Sequence, residues 1–77
     1  MSKNTDIVIK IMGQVLGNSG HKVPAISGST RILQDTAMDS LGLAEVVVKL
    51  EQELKKDPFK NGFIHFTTVD ELARLYE

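Results

Sequence analysis

The sequence has no cysteine, no tryptophan and only two prolines. Without cysteine there is no disulfide framework and no Cys-based zinc site, so these 77 residues must be held together by packing alone. Aromatic residues are scarce too. Phe59, Phe63, Phe66 and Tyr76 are the whole set, which points to an aliphatic core. An excess of one charge is also missing: nine Lys and Arg face ten Asp and Glu, for a formal net charge of −1. The basic residues are scattered apart from Lys55 and Lys56, so the basic face of a nucleic-acid binder is not expected. No apolar run approaches the roughly 20 residues that span a bilayer. The opening MSKNTDIVIKIMG turns polar quickly and lacks the small-residue cleavage site of a signal peptide. The expectation is a monomeric, cytoplasmic chain, free of membrane and nucleic acid, forming one domain over residues 1–77.

What is present is helical periodicity. Ile7, Ile11 and Val15 recur every four residues with Val8 and Met12 beside them, predicting a helix from about Asp6 to Leu16. Asn4, Thr5 or Asp6 can cap its start, and Gly17 with Asn18 fits its end. Ile9 falls off the stripe, which leaves strand as a local alternative. Residues 17 to 39 read as a long loop, with glycines, a proline and small hydroxyl residues in GNSGHKVPAISGST. Loops of this length in small domains are often functional. Val23, Ile26, Ile32 and Leu33 are its apolar anchors.

The strongest helix follows, from about Ser40 to Lys55. Leu43, Val47, Leu50 and Leu54 form an expected core-facing row that outweighs the β-branched run Val46-Val47-Val48. Asp57-Pro58 looks like a cap and first position of a short or irregular third helix, closed by Asn61-Gly62. Thr68-Val69-Asp70-Glu71 fits a capping box, opening a last helix that buries Val69, Leu72 and either Leu75 or Tyr76. The predicted fold is all-α: a small bundle of three main helices plus one short third helix, with a long loop between helices one and two.

Chemistry concentrates where the loop meets the second helix, at Asp35-Thr36-Ala37-Met38-Asp39-Ser40-Leu41. Ser40 falls in the cap or first turn, where free N–H groups and the positive end of the helix dipole favour an anionic phosphodiester. Asp39 is an acceptor that could hold Mg²⁺ or orient the hydroxyl. Either residue could equally be a plain helix cap. Nothing resembles a nucleophile–base pair: no Gly-x-Ser-x-Gly elbow surrounds Ser40. His21 and His65 stand apart from other ligand types and read as surface or loop residues. An enzyme is not expected.

These stretches, with Leu50-Glu51-Gln52-Glu53-Leu54 and the Thr67-Thr68-Val69 start of the last helix, resemble the acyl carrier protein family over most of the chain. The resemblance implies that Ser40 receives 4′-phosphopantetheine from coenzyme A through a Mg²⁺-dependent phosphopantetheinyl transferase. Acyl-loading and acyl-processing enzymes would be the further partners, in fatty-acid, polyketide or other specialised biosynthesis. Asp39 before the serine favours the acyl branch over an aminoacyl or peptidyl carrier. Candidate partner contacts are Leu41, Glu45, Val48 and Glu51. Val48 is as readily core, and the two glutamates are solvated surface residues first.

Departures from the family pattern fall around the site. Ala37 replaces the usual Gly, Gly42 stands where an acidic residue is usual, Gln52 neutralises another position, and Lys49 adds positive charge. Lys60-Asn61-Gly62-Phe63-Ile64-His65 replaces an acidic segment. Fewer charge pairs slow encounter with basic partner surfaces, so a specialised partner set is expected. Gly42 either opens room for a partner or is a permissive surface position. Two alternatives stay open: an unmodified helical interaction module, or a regulatory domain phosphorylated at Ser40.

Overall fold

The computed structural model describes residues 4–77. The first three residues of the expected 1–77 unit, and of the opening segment weighed as a signal peptide, lie outside that range. The described residues form α1 (Thr5–Asn18), α2 (Ser40–Leu54) and α3 (Val69–Leu75), with no strand among them beyond an isolated bridge between Arg31 and Thr68. The all-α bundle read from the periodicity is the observed architecture. Among the described residues, no helix is long and apolar enough to cross a membrane.

Helix α1 is the hub. Its backbone approaches both α2 and α3, which do not approach each other. Val8, Ile11, Met12, Val15 and Leu16 are buried, while Ile7 and Ile9 are half-buried against the core, so the stripe is helical throughout. Removing such side chains from water contributes about 1.5–3 kcal/mol each. Asn4 occupies the N-cap position, but its side chain makes no capping bond. The helix also runs past Gly17. Its stop is Gly20, whose φ of 80° is the left-handed turn that lets His21 N–H reach Leu16 O at 3.0 Å.

Helix α2 departs from its expected orientation. Val46 and Leu50 are the fully buried positions, whereas Leu43, Val47 and Leu54 are half-buried. The predicted row therefore straddles two environments, because α2 packs on α1 along Gly42, Val46 and Leu50 and turns Leu43 and Val47 toward the space that α3 does not fill. The short third helix takes the irregular form: residues 58–61 are consecutive turns. Lys60 N–H bonds to Asp57 O at 3.3 Å, Phe59 N–H to Asp57 Oδ1 at 3.3 Å, and Gly62 N–H to Phe59 O at 3.0 Å. In place of helix packing, this segment is held by its rings. Phe59 and Phe63 stack at 5.6 Å, and Phe66 closes the triangle at 6.0 and 5.9 Å.

The capping box on α3 forms as expected: Glu71 N–H donates to Thr68 Oγ1, and Glu71 Oε1 accepts from the N–H groups of Thr67 and Thr68. Those two bonds hold the Glu71 carboxyl below its usual range. Val69, Leu72 and Tyr76 are buried, which resolves the choice between Leu75 and Tyr76.

The long loop is fastened to this helix by backbone. Ile32 N–H bonds to Thr67 O at 2.9 Å, Val69 N–H to Thr30 O at 3.0 Å, and Asp70 N–H to Gly28 O at 2.9 Å. Of the four expected anchors, Ile32 is buried and Ile26 half-buried, while Val23 and Leu33 are exposed. Met38, outside the four expected anchors, is buried as well.

Candidate functional site

The loop delivers its last residues to the start of α2 through a chain of local bonds. Asp35 accepts from the Arg31 backbone N–H at 2.9 Å and pairs with the Arg31 guanidinium at 2.9 Å. That hydrogen-bonded ion pair pulls the Asp35 carboxyl below its usual range. Thr36 Oγ1 donates to Ile32 O and accepts from Met38 N–H. Ala37 needs no left-handed backbone, since Lys55 is the only non-glycine with positive φ among the described residues. Replacement of glycine there is sterically ordinary.

Asp39 is the N-cap of α2, and its Oδ1 accepts from Gly42 N–H at 2.8 Å. The first helical bond is Leu43 N–H to Asp39 O at 2.9 Å. Ser40 is thus the first residue of the helix, and it is exposed. Between the cap bond and the first helical bond, the N–H groups of Ser40 and Leu41 sit at the positive end of the helix, ahead of any intrahelical acceptor. The structure divides two roles that the sequence left joined: Asp39 caps, and Ser40 presents a free-standing hydroxyl.

Gly42 corrects an expectation. It is buried, and a Cβ there would meet the Met38 sulfur at 2.7 Å and Asp39 Oδ1 at 3.3 Å. The residue is small because the loop packs onto α2 at that point, and it opens no room on the outer surface.

Ser40 stands on the rim of a cavity of about 360 Å³ lined by Leu43, Ala44, Val47, Val48, Phe59, Phe63 and Phe66. Every lining residue other than Ser40 is apolar. Sequence reasoning did not identify this cavity. Its walls come from α2 and from the turn segment, and no local pattern relates the two. The available signal was that all three phenylalanines fall within eight residues of one another, in a stretch too short for a helix.

The expected partner contacts separate. Leu41 is 71% exposed and Val48 53% exposed, and with Glu45 they share an outward strip of α2 that also holds Ala44, Lys49 and Gln52. Val48 is therefore surface, not core. Glu51 lies off that strip and is half-buried, where its charge bears on Tyr76. His21 is exposed at a small cavity behind Asp39, and His65 is exposed with Nε2 3.3 Å from Thr67 Oγ1.

A family model described as the phosphopantetheine attachment site matches residues 6–76. Two relatives, each described as an acyl carrier protein, come from Rickettsia bellii strains RML369-C and OSU 85-389. Each is 33% identical over 57 residues, which is 74% of this chain and 66% and 70% of theirs. The chain thus spans about two thirds of the length of these curated relatives. No solved structure matches it. The chain belongs to the acyl carrier protein family. That membership places it among carriers rather than enzymes and implies a covalently attached 4′-phosphopantetheine. The residues present fit such a group: an exposed hydroxyl at a helix N-terminus, two adjacent N–H donors, and a neighbouring carboxylate already turned to its cap bond.

Proposed function

We propose, on the premise of that membership, that Ser40 carries the phosphopantetheine arm and that residues 1–77 act as one carrier domain. The observation that carries this reading is the position of Ser40, exposed as the first residue of α2 and on the rim of an apolar cavity. During attachment, Ser40 Oγ would form a new P–O bond as the diphosphate bond of coenzyme A breaks. Adenosine bisphosphate leaves, and the hydroxyl proton passes to a base on the transferase. Once attached, the arm supplies a terminal thiol for carrying acyl groups as thioesters.

The chain's own residues do the rest. The N–H groups of Ser40 and Leu41 face the phosphodiester charge, and Asp39 keeps the helix start rigid by holding Gly42 N–H. The cavity offers an acyl group shelter from water. Its apolar lining favours acyl over aminoacyl cargo, because a buried ammonium would find no partner there.

Leu41 and Val48 on the outward strip are the expected partner contacts. That strip holds one acidic residue, Glu45, and one basic residue, Lys49, and so has little net charge, which supports a specialised set of loading and processing enzymes in the cytoplasm. Peptide mapping after incubation with a promiscuous phosphopantetheinyl transferase tests the attachment. The adduct is expected on the peptide containing Ser40, and an adduct elsewhere would refute the reading. Acylation by a housekeeping malonyl transferase tests the partner set: turnover matching that enzyme's own carrier would sink it.

A further inference from the structure

We infer that Phe66, together with Leu43 and Phe63, is the partition that limits how long an acyl chain this protein can shelter. The inference rests on the reading of Ser40 as the attachment site and deepens it.

Behind the cavity at Ser40 lies a second one of about 190 Å³, with Ile32, Leu33, Gln34 and Thr67 on its far side. Three side chains line both spaces: Leu43, Phe63 and Phe66. Ser40 borders only the first. A chain entering from Ser40 therefore fills the first cavity and then meets these three groups.

The wall is formed by three apolar residues, two of them outside any helix. Residues 63–67 belong to no helix, Phe66 is half-buried and Phe63 is 75% exposed. Ring contacts near 6 Å hold the two phenylalanines to each other and to Phe59. The far side differs in chemistry as well as position, since Gln34, His65 and Thr67 bring polar groups to the second cavity. The first is apolar, so each methylene that enters it shifts the balance toward the sheltered state by about fourfold. Once the chain reaches the wall, further methylenes add nothing.

The partition makes the sheltered length a property that single substitutions can change. A series of acyl-coenzyme A donors from butyryl to myristoyl is transferred onto the full chain, and loading at Ser40 is verified by mass. Thioester cleavage by hydroxylamine is then followed by intact mass. In the wild-type protein the cleavage rate is expected to fall with each added carbon, by up to about fourfold per methylene, and then to level off. In Phe66→Ala the fall is expected to continue to longer chains, and adding Leu33→Trp, which fills the second cavity, is expected to restore the shorter limit. Phe63→Ala, at an exposed ring, gives the same comparison if Phe66→Ala does not fold. Levelling at the same length in a folded Phe66→Ala or Phe63→Ala variant would overturn the partition while leaving the attachment intact. Absence of any load on Ser40 would overturn both.

Discussion

At the scale of single residues, the least comfortable group in the molecule is the Tyr76 hydroxyl. The side chain is 1% exposed, and its oxygen has no hydrogen-bond partner. Burial, and then the charges of Glu51 and Asp57, push its pKa up to about 12. A raised pKa means that folding favours the protonated phenol. That contribution is whole below the ordinary tyrosine value of about 10 and is lost as pH rises through about 12. Tyr76→Phe removes the unpaired group and keeps the ring. Urea denaturation near neutral pH is expected to show a gain of about 1 kcal/mol, and the variant should lose less stability than wild type between pH 10 and 12. A loss of stability at neutral pH would show that the hydroxyl has a partner in solution. Residues of this kind explain what the sequence could and could not disclose. Ser40 and Asp39 were legible because a cap and a first helical position are set by neighbours in the chain. Gly42 was not, because its small size answers to Met38, which the loop brings against it.

Elements repeat that division. The capping box of α3 was legible because Thr68 and Glu71 are three residues apart. The start of α2 was legible for the same reason. The face of α2 was not, since Leu43 and Val47 are turned toward a space whose existence depends on how short α3 is and where the phenylalanines settle. Two predictions belong at this scale. Lys55 ends α2 in the left-handed conformation, with φ 57° and ψ 39°, which strains any side-chain-bearing residue. Lys55→Gly is expected to raise the free energy of unfolding in urea by roughly 0.5 to 1 kcal/mol with an unchanged slope; a fall would mean that the lysine side chain contributes more than its backbone costs. The second concerns the fastening of the loop to α3. Gly28 is buried against the Asp70 carboxylate, which also accepts from Thr5 Oγ1 at 2.7 Å. A methyl group at Gly28 would meet that carboxylate directly. Gly28→Ala is therefore expected to cost about 1–3 kcal/mol, and less when Asp70 is also replaced by Ala. Equal costs in both backgrounds would place the strain elsewhere.

At the scale of the whole molecule, α1 holds two helices whose backbones stay apart, and the chain that joins them carries a segment pinned by three rings. That arrangement puts an apolar cavity beside the exposed hydroxyl of Ser40. The absence of cysteine serves as a reporter: any thiol on this protein must come from the arm. The most direct measurement is therefore a paired mass and thiol titration. The chain and its Ser40→Ala variant are incubated with coenzyme A, Mg²⁺ and a promiscuous phosphopantetheinyl transferase. The expected result is a mass gain of one phosphopantetheine and one titratable thiol per chain for the wild-type protein, and neither for the variant. No gain in the wild-type protein, or a gain that survives Ser40→Ala, would contradict the assignment of Ser40 as the attachment site.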